Sequence, residues 1–207
     1  MKRNTMFTWI MPVLFLFAAC ANAEGTEKFS LDPQHSSVRW EISHFGFSSP
    51  SGKWLANGTL DLDEKNPANS RIDVTIDVAD LITGIPELDK HLRGALFFDT
   101  EKYPIATFVS DKIKVTGKDT AQVQGNLTLR GITKPVTLDV KLNKYAKNPI
   151  NDKQTAGFSA TATLKRSDFG MKTLLPGLGD KVKLTIEVEA YKSALNAIKE
   201  PDAKKHS

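Results

Sequence analysis

Apolar and polar residues alternate along most of this chain with a period of two, the signature of half-buried β-strands rather than helices. Val38, Trp40, Ile42 and His44 share one phase, with Arg39, Glu41 and Ser43 on the other. Trp54, Ala56, Gly58, Leu60 and Leu62 repeat the pattern, as do Ile72, Val74, Ile76 and Val78. Farther on, Ala106 and Phe108, then Val123, Gly125, Leu127 and Leu129, then Val136, Leu138, Val140 and Leu142 each mark one face of a strand. Phe158, Ala160, Ala162 and Leu164 follow, and Val182, Leu184, Ile186, Val188 and Ala190 close the series. A first short strand around Phe29 and Leu31 turns at Asp32-Pro33-Gln34, and Gly, Asn-Pro and Ser-rich segments separate the others.

One stretch, Glu87 to Phe108, breaks this rhythm. Leu88, His91, Leu92 and Ala95 recur at spacings of three and four, predicting a short helix over about 86–95. Phe97 and Phe98 come directly after it, then Asp99 and Tyr103-Pro104. Two adjacent phenylalanines at the end of a helix need an apolar partner elsewhere in the fold.

Eight or nine strands with one apolar face each predict a mainly β, antiparallel domain, as a barrel or a sandwich. Strand lengths of about ten residues favour a barrel. Several inward positions are also small: Ala56, Gly58, Gly125, Ala160 and Ala162. Small inward residues leave either a ligand cavity or the room needed for barrel taper and close sheet packing.

Residues 1–23 have the layout of an export signal. Lys2 and Arg3 precede an apolar run from Phe7 to Ala19, and Ala21-Asn22-Ala23 is a small-x-small cleavage site. This predicts a periplasmic or secreted protein cleaved after Ala23. The alternative is a lipoprotein box at Phe17-Ala18-Ala19-Cys20, which would leave a lipidated Cys20 at the mature terminus. Cys20 is the only cysteine, so a domain over 24–191 has no internal disulfide and depends on its core. Beyond it, 192–207 is a polar tail expected to be flexible. The pI near 9.0 overstates the domain's basicity. Losing Lys2 and Arg3 lowers the formal charge from +4 to +2, and no block of five like charges occurs, which argues against nucleic acid.

Residues suited to chemistry are sparse. There is no Gly-x-Ser-x-Gly elbow, and Gly177-x-Gly179 is a fragment of a phosphate loop before a strand. His35, His44 and His91 follow no metal-ligand spacing, although their convergence would allow a metal-assisted hydrolase. Asp99 and Asp168 stand off the outward phase, where each could pair with an arginine or cap a turn. Arg166 keeps the inward phase of Leu164, and Arg93 lies beside the helix's apolar stripe. Either guanidinium could meet an anionic headgroup at the rim of an apolar tunnel.

Several separated motifs, in order, resemble the YceI-like family. They are Asp32-Pro33-x-His35-Ser36 with Val38, His44 and Gly52 to Gly58; His91-Leu92-Arg93; Phe97-Phe98-Asp99; and Tyr103-Pro104 with Phe108. Gly125-x-Leu127-x-Leu129-Arg130-Gly131-x-Thr133-Lys134-Pro135-Val136 and Arg166-Ser167-Asp168-Phe169-Gly170-Met171 complete the set, which spans about Phe29 to Ala190. The resemblance implies a single eight-stranded antiparallel lipocalin-like barrel whose apolar interior holds an isoprenoid or fatty-acid-like chain in the periplasm, without catalysis and with no metal or other cofactor. The inward residues then become candidate lumen lining: Trp40, Ile42, His44 and Trp54; Leu92, Phe97, Phe98 and Phe108; Phe158, Ala160, Ala162, Leu164 and Phe169. Arg93 and Arg166 become the headgroup candidates. Expected partners are the small amphiphile itself, a membrane-associated donor or acceptor, and a second copy as a homodimer. The apolar loop Leu174-Leu175-Pro176-Gly177-Leu178 departs from the family pattern and suggests a pocket mouth or a partner surface, such as for a membrane redox protein.

Overall fold

A computed structural model describes residues 25–193. The segment expected to be an export signal, 1–23, lies outside the described residues, as does the tail beyond Ser193. Ten strand segments form one antiparallel sheet: β1 Glu27–Leu31, β2 Ser37–His44, β3 Ser51–Leu55, β4 Asn57–Leu62, β5 Arg71–Asp77, β6 Ile105–Val115, β7 Thr120–Leu129, β8 Ile132–Lys147, β9 Gln154–Lys165 and β10 Leu178–Lys192. Helix α1, Pro86–Arg93, lies between β5 and β6.

The ten segments occupy eight positions. β1 and β2 both pair with β10, through Leu31↔Ala190 and through Val38↔Ile186 to Ile42↔Val182. β4 pairs with β1 and β3 with β2, so the first two barrel strands are each interrupted once. The β1–β10 pairing closes the ring into an eight-stranded barrel and excludes the sandwich. Closure also removes the unpaired edges an open sheet would expose.

The break between β1 and β2 explains the Asp32-Pro33-x-His35-Ser36 motif. Pro33 has no N–H to give a ladder. Asp32 accepts the Gln34 amide at 2.9 Å and pairs with His35 Nδ1 at 2.9 Å. Ser36 is fully buried, and its hydroxyl donates to the Glu189 carbonyl (3.1 Å) while accepting the Glu189 amide (3.3 Å). A side chain thus stands in for the missing rungs opposite β10. β10 itself runs to Lys192, whose ammonium is 2.5 Å from Glu27, and Ser193 is bonded to Ser30, so the barrel reaches slightly beyond residue 191.

Cross-strand partners share a face, and the register aligns the predicted apolar phases inward. Trp40 faces Gly52 and Leu184, Leu184 faces Ala162, and Phe108 faces Val74 and Leu127. The inward glycines, however, do not leave empty space. A Cβ on Gly125 would lie 2.6 Å from the Phe108 ring, and one on Gly52 would lie 2.7 Å from the Trp40 ring. On Gly58 it would meet the Asp73 carbonyl at 2.1 Å. These residues receive aromatic rings or a neighbouring backbone.

The two barrel ends differ. Phe29, Leu31, Leu60, Ala156 and Ala190 form a closed core at one end, with Tyr145 tilted over Phe29 at 6.2 Å. The other end carries α1 and the loops 45–50, 130–131 and 166–177. Pro86 at the first turn, Glu87 and Asp89 near the start and Lys90 and Arg93 near the end complement the helix dipole. The helix stops at Arg93, two residues earlier than its apolar spacing suggests. The Gly94 amide turns back to His91, and Ala95 falls in the following turn.

Candidate functional site

At the α1 end the side chains do not fill the barrel, and a cavity of about 430 Å³ remains. Its wall is overwhelmingly apolar. β2 contributes Trp40, Ile42 and His44, β3 Trp54, and β10 Leu178, Val182 and Leu184. Leu88, His91 and Leu92 come from α1, and Phe97 and Phe98 from the turn after it. Leu129, Leu164, Arg166, Phe169, Met171 and Leu174 complete the far side, with Ser48 and Pro50 from the β2–β3 loop. The volume lies within the range of about 300–1,000 Å³ typical of small-molecule sites.

Aromatic packing fixes the cavity's shape. Trp54 donates its indole N–H to the Val78 carbonyl at 3.1 Å and meets the edge of Phe98 with ring centroids 5.1 Å apart. Trp40 lies 6.5 Å from Trp54, and His91 sits 5.0 Å from Phe97. Phe97 is buried and Phe98 half-buried, so the two phenylalanines find their apolar partner in this wall. Along β8 the inner-facing Val136, Leu138, Val140 and Leu142 are only half-buried, so that side of the interior is incompletely covered.

Nine of the thirteen candidate lining residues meet here: Trp40, Ile42, His44, Trp54, Leu92, Phe97, Phe98, Leu164 and Phe169. Four do not. Phe108 covers Gly125 inside the barrel. Ala160 is buried opposite Val140 and Ile186, and Ala162 packs against the surrounding cluster without reaching the cavity. Phe158 packs at the closed end and borders a separate polar groove with His35, Lys147, Glu187 and Glu189. Phase identified the inward face but not the depth of each residue along the barrel axis.

Neither headgroup arginine is free. Arg93 donates to the carbonyls of Ala79 (2.6 Å) and Leu81 (3.2 Å), tying α1 to the turn that follows β5. Arg166 is 4% exposed and donates to the carbonyls of Gly179, Met171 and Leu178 at 2.8–2.9 Å. Burial lowers its pKa, against an opposing pull from Asp180. Asp180, rather than Asp168, organises this loop, accepting the Ser167 amide at 2.9 Å and hydroxyl at 2.8 Å. Burial pushes its carboxyl up, but those bonds and the charges of Arg166 and Lys165 bring it below the ordinary value.

The three histidines do not converge. His44 and His91 both border the cavity, whereas His35 sits before β2, at its other end. Eight strand residues at about 3.3 Å each hold His35 more than about 20 Å from His44, which removes the geometry a three-histidine metal site would need. No group of three metal-ligating side chains occurs among the described residues.

Several lining residues escaped the sequence reading. Val182 and Leu184 share the inward phase of β10 opposite Leu164 and Ala162, a signal the alternation did contain. Met171 lies in a loop, where period-two phase says nothing. Leu174 and Leu178 belong to the apolar loop already singled out as a pocket mouth.

A closed antiparallel barrel, packed at one end and holding an apolar cavity under a helix at the other, defines a lipocalin-like barrel. A YceI-like domain model matches residues 29–190, and the chain belongs to that family. It is 41% identical over 175 residues to Protein YceI of Escherichia coli O17:K52:H18, covering 84% of this chain and 91% of that one. Protein YceI of Salmonella arizonae is 39% identical over 190 residues, covering 91% and 97%. Among solved structures, the Campylobacter jejuni YCEI protein superposes with a TM-score of 0.66 at 33% identity, covering 73% of this chain and 90% of that one. A polyisoprenoid binding domain from Saccharophagus degradans shares the fold, with a TM-score of 0.62 at 15% identity over 80% of this chain and 98% of that domain.

Proposed function

We propose that this protein binds a long-chain amphiphile, isoprenoid or fatty-acid-like, in the α1-end cavity and acts as a carrier, store or scavenger without chemistry. The observation that carries this reading is the cavity itself, about 430 Å³ walled by Trp, Phe, Leu, Ile and Val side chains. Each methylene moved from water into such a wall contributes about 0.8 kcal/mol, so a long chain gains affinity without specific polar contacts. Binding of this kind is tight but poorly selective among chains of similar length. With Arg166 committed to carbonyls, the headgroup stays at the mouth among His44, Ser48 and His91, the polar side chains that remain there. The same-fold Saccharophagus domain is named for polyisoprenoid binding, which agrees with this reading.

The basic start, apolar run and Ala-x-Ala site support a periplasmic or secreted location, with cleavage after Ala23. One experiment tests both statements. Protein purified from its secreted or envelope fraction is weighed intact, then extracted with organic solvent for mass spectrometry. A stoichiometric amphiphile and a chain beginning at Glu24 are expected. Repeated preparations that yield an empty barrel sink the binding reading, and a diacylated Cys20 sinks the soluble one.

A further inference from the structure

The loops around the cavity mouth expose large apolar side chains that nothing in the barrel covers. Phe47, between β2 and β3, is 91% exposed, and Leu96, just past α1, is 60% exposed. Phe45, Leu174 and Leu175 are exposed as well. The loops that carry them are bonded to one another. The Phe45 amide donates to the Gly177 carbonyl at 3.0 Å, and the Thr173 hydroxyl donates to the Leu96 carbonyl at 3.0 Å. His44, Ser48 and Leu174 belong to the same segments and face the cavity, so the exposed tips form its rim.

Two features show that the rim is built to present these side chains. Phe45 and Leu174 both hold positive φ, 53° and 61°, a left-handed conformation that bulky residues rarely adopt and that concentrates at functional sites. The charge pattern of the 45–50 and 171–179 loops is also one-sided, while Glu87 and Lys90 lie together beside the third tip, Leu96. Residues 45–50 carry no charge, and 171–179 carry only Lys172. Acidic side chains, which would oppose an anionic surface, are missing from both segments.

We propose that this rim inserts into the headgroup and acyl boundary of an anionic lipid bilayer, opening the cavity onto the layer that holds its ligand. The inference rests on the amphiphile reading of the cavity. Aromatic and aliphatic tips backed by a lysine match an interfacial lipid anchor. A shaped protein partner fits less well, because the tips rise from three separate loops and Phe47 stands nearly free of any neighbouring wall. Docking has a direct consequence for transfer. An amphiphile that crosses water exposes every methylene on the way, and a rim seated in the bilayer gives it a path without that exposure.

Sedimentation with vesicles of phosphatidylethanolamine and phosphatidylglycerol tests the proposal, comparing the protein with its Phe47→Ser/Leu96→Ser/Leu175→Ser variant. None of these three residues lines the cavity, and identical termini make the difference report on the rim alone. The variant is expected to lose about tenfold or more in vesicle partitioning and to slow vesicle-to-vesicle transfer of a fluorescent fatty acid. Its equilibrium uptake of that fatty acid from water stays unchanged. Equal partitioning of the two proteins overturns the proposal. So does parent binding confined to native membranes and abolished by trypsin treatment of them, which would identify a protein partner. If neither protein takes up the fatty acid, the cavity reading falls, while sedimentation alone still upholds or overturns lipid docking.

Discussion

Arg166 shows how a charged residue in an apolar wall can be structural. Its guanidinium is met by three backbone carbonyls from the segment 171–179, so it folds the β9–β10 loop around itself. Arg166→Met keeps the apolar volume but strands those carbonyls, at a cost of about 1–3 kcal/mol for each buried group left unmade. We expect a urea midpoint lowered by at least about 2 kcal/mol equivalent; a midpoint within error of the parent would mean the loop folds without it. At the other end of β2, His35 is raised above its usual value chiefly by its hydrogen bond to Asp32, and Asp32 is lowered chiefly by the same bond. The histidine's contribution is fully present below about pH 6.5 and fades as pH rises through its raised value. The aspartate's is fully present above about pH 4 and fades as pH falls through its lowered value. The pair therefore acts between those limits. In Asp32→Asn, NMR titration of the His35 ring should show its midpoint dropping back towards the ordinary histidine range, and an unmoved midpoint would rule out Asp32 as the cause.

At the scale of elements, α1 is the piece whose stability is borrowed. Eight residues are too few for a helix to hold itself in water. It is fixed by burial of Leu92, by Asp89 accepting the Thr83 amide at 2.8 Å, and by the two Arg93 bonds to Ala79 and Leu81. Arg93→Ala should loosen the helix while leaving the barrel paired. Hydrogen exchange should then show faster amides over 88–98 than in the parent, with β7–β9 unchanged; uniform acceleration would place Arg93 in the global fold instead. This element also marks where sequence reading succeeds and stops. The strands were legible because a half-buried strand must alternate, and α1 was legible as the place where alternation fails. Its end was not, because Ala95 continues the apolar spacing while Gly94 ends the helix. Nor did phase place His35 relative to His44, since distance along a strand depends on where the strand starts, which the Asp32–Ser36 interruption conceals. Arg166 was rightly read as inward, but three carbonyls from a loop without periodicity decide what its charge does.

The whole molecule divides its interior between two tasks, and this division can be tested by crossing them. At the closed end Phe29 is fully buried within a tight apolar cluster of Leu31, Leu60, Ala156 and Ala190. Removing its ring should cost about 3–5 kcal/mol, the range for phenylalanine truncation in a packed core. Nothing at that end touches the ligand space, so Phe29→Ala that is still folded should take up a fluorescent fatty acid with the parent's affinity. Leu164 stands at the opposite end, half-buried and lining the cavity across from Val182. A larger side chain there enters open volume instead of compressing a filled core, so the usual overpacking cost of about 1–3 kcal/mol should largely be avoided. Leu164→Trp should therefore keep the parent's melting temperature to within a few degrees and weaken uptake by about tenfold or more. The measurement is one thermal melt and one fluorescence titration for each variant. If both variants lose stability and uptake together, the ends are not independent and the barrel behaves as one continuous core. If Leu164→Trp binds as well as the parent, the ligand does not occupy the cavity beneath α1.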